Sequence, residues 1–208
     1  HSCCGYPSDT SRDQRKLGSN MMKVAYSVVT GAGSGIGRAL AVRLGLSGNS
    51  LALIGRREDA LEETRLIIRN EMRAHGGSQD IDIKVIPCDI GCPSGIQLIE
   101  SQLQLQHHPH TPHPVRHLVH NAGTIQPLVT LDQVTPQQWR TAFCTNVDGP
   151  LFLTQALTPN LIANGPGARV LFVGSGAAHK PYHSWGAYCS SKAAFHMMWN
   201  IFKTENQH

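Results

Sequence analysis

The chain has no apolar run approaching the ~18 residues that a bilayer-crossing helix requires, so no membrane span is expected. Its first 22 residues, HSCCGYPSDTSRDQRKLGSNMM, lack the apolar core of a signal peptide. They read as a disordered tail, residues 1–22, ahead of a single domain, residues 23–208. There is no initiator Met: the chain begins with His1, as a fragment or a processed product does. No CxxC pair occurs among Cys3, Cys4, Cys88, Cys92, Cys144 and Cys189, and 208 residues bury enough core to dispense with disulfide staples. Free thiols in a reducing, cytoplasmic setting are expected. Cys88 and Cys92 are close enough in sequence for a redox pair, but two unrelated thiols is the simpler reading. Basic residues outnumber acidic ones, 18 to 14, yet they are scattered and never interleave with aromatics, which argues against nucleic acid. A mild positive excess suits an anionic small-molecule ligand instead.

What is present is an alternation of short apolar runs with longer amphipathic stretches. Strands are expected at Val24–Thr30, Ser50–Ile54, Ile83–Pro87, Val115–Val119 and Arg169–Gly174. Helices are expected at Gly35–Leu46, Glu58–Ala74, Gly95–Gln106, Pro136–Leu161 (one long helix) and Trp185–Lys203. This repetition implies an α/β fold: a doubly wound parallel sheet with helices on both faces, and ligands bound beyond the carboxyl ends of its strands. No second domain and no internal repeat is visible. One segment stands apart. Gln106–His117 (QHHPHTPHPVRH) holds five histidines among three prolines, a density that forbids helix and predicts an exposed loop. His-rich tracts bind metals, but no carboxylate or thiol accompanies this one, so a surface insertion without a metal is expected.

The turn Thr30–Gly37 (TGAGSGIG) sits between a strand and a helix. Glycines there let backbone approach a pyrophosphate at a helix amino end, where free N–H groups and the helix dipole hold negative charge. A strict GxGxxG fails, since Ile36 and Arg38 stand where glycine is needed; the pattern that fits is TGxxxGxG. At the end of the second strand a dinucleotide site needs a residue for the adenosine ribose. Arg56 and Arg57 occupy that place, Arg56 lying 19 residues past Gly37, and the nearest acid, Glu58, falls later. The guanidinium fork suits a 2′-phosphate, which favours NADP(H) over NAD(H). The bland alternative is that two arginines simply open a solvated helix.

Tyr188 and Lys192 are four apart on a helix, so the ammonium and the phenol share a face. A phenol ordinarily ionises near ~10, and an adjacent cation, joined by the positive ring of an oxidised nicotinamide, stabilises the phenolate. Tyr188 is thereby a candidate general acid for a carbonyl oxygen. A surface i,i+4 pair is the ordinary alternative. Ser175, thirteen residues earlier and directly after the fifth strand, is placed to hydrogen-bond the same oxygen as charge develops on it.

Together these residues resemble the short-chain dehydrogenase/reductase family, from about residue 23 to 203. The family pattern is TGxxxGxG, an Asp after the third strand, NAG after the fourth, then catalytic Asn, Ser, Tyr and Lys. Here it is met by Thr30–Gly37, Asp89, Asn121-Ala122-Gly123, Asn146, Ser175, Tyr188 and Lys192. The resemblance implies a Rossmann-like fold and assigns cofactor contacts to Gly31, Ser34, Gly35, Ile36, Gly37, Arg56 and Arg57. It assigns adenine contacts to Asp89 and Ile90, and the cofactor-lining wall to Asn121, Ala122 and Gly123. Asn146 would hold a water in a proton relay through Lys192, which would also bind the nicotinamide ribose; unaided, Asn146 reads only as a polar residue inside a helix. Within the family, Val173–Ala194 with its KPYxxWxAYxxSK phrasing is similar to sepiapterin reductase and benzil-reductase-like members. The implied reaction is NADPH-dependent reduction of a small ketone or dicarbonyl, such as a pterin side chain, by a homodimer or homotetramer. The chain ends at His208, before the last strands and substrate lid of that family, so weak cofactor binding and poor turnover are expected of these residues alone. Two other readings remain: a non-catalytic NADP-sensing protein or inactive fragment, and a sugar-nucleotide epimerase, whose usual TGxxGxxG spacing is not found here.

Overall fold

The computed structural model describes residues 25–75, 80–105 and 115–206. Five strands, β1 (Tyr26–Thr30), β2 (Ser50–Gly55), β3 (Ile83–Pro87), β4 (Val115–His120) and β5 (Arg169–Phe172), form one sheet in the order β3-β2-β1-β4-β5. Every pairing is parallel. The two-residue period of the strands sorts their side chains into two cores. Tyr26, Val28, Ala52 and Ile54 face one layer with Ile96, Ile99, Leu153 and Leu157. Val29, Leu51 and Leu53 face the other with Ala41, Leu61, Ile68 and Met72. Burial on both faces explains why β1 and β2 read as continuous apolar runs rather than alternating ones.

Helices α1 (Gly35–Leu46) and α2 (Glu58–Ala74) therefore cover one face, and α3 (Pro93–Gln102) and α5 (Gly149–Ala163) the other. The chain runs outward from β1 to β3 and then crosses back to β4. This reversal opens a crevice beyond the carboxyl ends of β1 and β4.

Several boundaries differ from expectation for identifiable reasons. Helix α3 begins earlier, because Pro93 is preorganised for a first helical position, and it stops at Gln102, where Gln104 adopts φ 53°. The expected end at Gln106 lies outside the described residues, as do Val24, the tail 1–22 and residues 106–114 of the His-rich segment. Val115, Arg116 and His117, expected at the close of that loop, belong to β4, and His117 Nδ1 pairs with Ser27 Oγ at 2.8 Å. Strand β5 ends at Phe172, after which Gly174 and Ser175 leave the sheet.

The single long helix expected from Pro136 is three pieces. Helix α4 (Pro136–Phe143) starts on a capping box, with Thr135 Oγ1 accepting from Gln138 N and Gln138 Oε1 accepting from Thr135 N. A π turn follows at Cys144–Asp148, and α5 then continues. Helix α6 (Gly186–Glu205) closes the described chain. No helix among the described residues is long and apolar enough to cross a membrane.

Candidate active site

The glycine turn is built around contacts too close for side chains. Gly31 takes φ +67°, and a Cβ on Gly37 would stand 2.2 Å from the Gly31 carbonyl oxygen and 2.4 Å from Asn121 Nδ2. Asn121 in turn donates from Nδ2 to the carbonyls of Thr30 (3.1 Å) and Gly31 (3.2 Å). The Thr30 hydroxyl donates to Val119 O and accepts from the N–H groups of Asn121 (3.0 Å) and Ala122 (3.1 Å). One threonine thus clamps β1 to the Asn-Ala-Gly corner of β4, a role that its place in the motif signalled but that was not expected of it. Ser34, Gly35 and Ile36 are exposed at the start of α1, where the first turn holds no acid and Ser34 makes no side-chain cap. Uncapped N–H groups at that end are available to an anion.

A cleft of about 510 Å³ opens there, lined by Gly31, Ser34, Arg56, Arg57, Asp89, Ile90, Ala122 and Gly123, and also by Gly33 and Thr145. Of the expected cofactor contacts, Gly35, Ile36, Gly37 and Asn121 support the turn from outside this lining rather than forming it. Asp89 folds back to accept from Gly91 N at 2.9 Å, which shapes the turn between β3 and α3. The nearby cations differ in availability. Arg38 donates to Gly33 O (2.6 Å) and Thr64 Oγ1 (3.1 Å) and pairs with Glu63 (2.6 Å). Arg56 and Arg57 are exposed and make no ion pair among the described residues.

At the other end, the π turn carries Asn146, which is 1% exposed. Its Oδ1 accepts from Thr124 N (2.8 Å), and its Nδ2 donates to Thr124 O (2.8 Å) and Ser191 Oγ (2.9 Å). The extra residue in the helix turns the amide inward to pair with backbone. Ser191 Oγ then donates to Tyr188 O, tying Asn146 to the first turns of α6. Thr124 and Ser191 were not anticipated; the serine inside YCSSK was the only local signal.

Lys192 is 6% exposed, and its Nζ donates to Val173 O at 3.2 Å. Nζ lies 5.9 Å from the centre of the Tyr188 ring and 4.8 Å from that of Phe195. The ammonium therefore shares a face with Tyr188, as the spacing predicts, while its hydrogen bond goes to backbone. Burial lowers the Lys192 pKa. Tyr188 meets Trp185 edge-on, with ring centres 5.8 Å apart. Ser175 Oγ accepts from Ala177 N at 3.2 Å, which leaves its own proton free to donate. Gly123 joins the two ends: a Cβ there would lie 3.3 Å from Asn146 Oδ1 and 3.6 Å from Lys192 Nζ.

His120, just before Asn121, is 1% exposed. The Thr154 hydroxyl donates to Pro150 O, so it accepts at 2.8 Å from His120 Nε2, which assigns the proton to that nitrogen. Nδ1 has no partner among the described residues, and protonating it would bury an unpaired charge. Burial pushes this imidazole down to about 3, from an ordinary 6.5. As pH falls from 6.5 toward 3, the unfolded chain takes a proton that the folded chain refuses, so stability is lost, on the order of 4 kcal/mol. Urea unfolding of the protein and of His120→Leu should show the parent losing its advantage over that range. A gap that stays constant with pH would contradict this origin.

A sequence model of the family described as short chain dehydrogenase matches residues 25–208. Sulfoacetaldehyde reductase 2 of Chromohalobacter salexigens is 34% identical over 166 residues, 80% of this chain and 60% of that protein. Sepiapterin reductase of Mus musculus is 29% identical over 189 residues, 87% of this chain and 69% of that protein. A metagenomic short-chain oxidoreductase solved in complex with NADP superposes with a TM-score of 0.73 at 26% identity, covering 88% of this chain and 76% of that one. The chain belongs to the short-chain dehydrogenase/reductase family. It spans about 60% of the length of the sulfoacetaldehyde reductases it matches.

Proposed function

We propose that this protein reduces the carbonyl group of a small molecule with NADPH, using Tyr188 as general acid within one domain, residues 23–208. The observation that carries this reading is Gly123, which lines the cleft beside Arg56 and Arg57 and also touches Asn146 and Lys192. A phosphate-friendly cleft and a Ser-Tyr-Lys-Asn set are thus continuous rather than merely present in one chain.

The residues fit a dinucleotide. The α1 amino end offers uncapped N–H groups to a pyrophosphate, and Gly31 and Gly37 leave no side chain in its way. Asp89 and Ile90 offer one wall to an adenine, and Arg56 with Arg57 offers unpaired guanidinium groups to a 2′-phosphate. When bound, the reduced nicotinamide supplies a hydride to the carbonyl carbon. Ser175 donates its free proton as a hydrogen bond to the substrate oxygen, and Tyr188 transfers a proton to that oxygen as it gains charge. Lys192 binds the nicotinamide ribose and keeps a cation beside the phenol. Both N–H groups of Asn146 are engaged by Thr124 and Ser191, so a relay water would take a lone pair of Oδ1. The names of the relatives, sulfoacetaldehyde reductase and sepiapterin reductase, support a small aldehyde, ketone or dicarbonyl as substrate.

The arginines give a direct test of cofactor choice. Losing charge-assisted bonds to a 2′-phosphate should weaken NADPH roughly 10- to 100-fold in the double variant Arg56→Ala, Arg57→Ala. NADH binding should stay nearly unchanged. Equal effects on both nucleotides, read by fluorescence titration, would remove the arginines from the phosphate site.

A further inference from the structure

Three cysteines gather where the turn after β3 meets the π turn: Cys88 at the strand's end, Cys92 capping α3, and Cys144 opening the π turn. All three are free thiols. The turn presses on Cys144, since a Cβ on Gly91 would lie 3.1 Å from the Cys144 carbonyl carbon and 3.2 Å from its oxygen. Cys92, the next residue, is exposed, and Cys144 is half-buried beside it. The charge of Cys92 reaches the Cys144 thiol: burial first, then Asp148, then Cys92 and Asp89 push that thiol up. Cys88 responds differently. Burial and Asp89 alone push it up to about 11, so Cys92 faces Cys144 and not its nearer neighbour in sequence.

We propose that Cys92 and Cys144 are a reversible disulfide site, closed by a hydroperoxide. The exposed Cys92 thiolate attacks the peroxide; an S–O bond forms, the O–O bond breaks, and the distal oxygen leaves as hydroxide or alkoxide that takes up a proton. The Cys144 thiolate then attacks the sulfenic sulfur; the S–S bond forms, the S–O bond breaks, and the hydroxide leaves as water. Two thiols lose two protons and two electrons, and one hydroperoxide is reduced to water and an alcohol, or to two waters. A dithiol reverses the reaction. The bond would tie the turn bearing Asp89 and Ile90 to the segment bearing Asn146, so the two walls of the cleft would be covalently joined.

The test is peptide mapping of the reduced protein after hydrogen peroxide treatment, with free thiols alkylated. The expected product joins the peptides bearing Cys92 and Cys144, two hydrogens lighter than their sum, and disappears on adding dithiothreitol. In Cys92→Ser, an exposed and conservative change, Cys144 should remain alkylatable. Linkage of Cys92 to Cys88, over-oxidation of Cys92 with Cys144 still alkylatable, or no reaction at either thiol would each overturn the proposal. None of these readings depends on reductase activity.

Discussion

Replacing Tyr188 by Phe is expected to lower turnover of a carbonyl substrate by about three orders of magnitude while NADPH affinity stays within about twofold. The change removes one oxygen. The ring remains against Trp185, Lys192 keeps its bond to Val173 O, and Ser191 still accepts from Asn146 and donates to the backbone of residue 188. Nothing that shapes the cleft is touched, so the loss should fall on kcat and not on cofactor binding. Steady-state rates and a fluorescence titration separate the two. Turnover within tenfold of the parent would place the acid elsewhere.

The second large effect is expected at Gly37→Ala. Its methyl would meet the Gly31 carbonyl at 2.2 Å and Asn121 Nδ2 at 2.4 Å, and neither is free to retreat. Asn121 is held by the carbonyls of Thr30 and Gly31, and Thr30 by β4. Relief requires the turn and α1 to separate from the β4 corner, which displaces the N–H groups offered to the pyrophosphate. NADPH affinity should fall at least 100-fold, with a drop of several degrees in melting temperature, since forced overpacking costs roughly 1–3 kcal/mol or more. Gly35→Ala is the control. A Cβ there meets nothing within 4 Å, and only its φ of +54° is unfavourable, so the penalty should be near 1 kcal/mol. Equal behaviour of the two variants would show that the close approach at Gly37 is unimportant.

Strands β1 to β3 and helices α1 and α2 were legible because burial, period and turn residues all pointed one way there. Asn146 was not. Its neighbours continue an unbroken helical pattern, and the π turn that rotates its amide inward exists because Thr124 and Ser191 wait across the fold. His120 reads as a strand residue, and only the packed structure leaves its Nδ1 without a partner. The cysteines mislead for the same reason. Sequence proximity suggests Cys88 with Cys92, whereas the turn at Gly91 brings Cys92 to Cys144. The motifs located the chemistry, and the contacts that aim it are long-range and invisible in any local window.

Transfer of deuterium tests the proposed reaction most directly. The protein is incubated with NADPH deuterated at the hydride-donating carbon and a panel of small aldehydes, ketones and dicarbonyls. At least one should return an alcohol carrying a single deuterium at the former carbonyl carbon, and Tyr188→Phe should return almost none. NADPH that binds tightly but delivers no label to any carbonyl would contradict a reductase and leave a nucleotide-binding protein in its place.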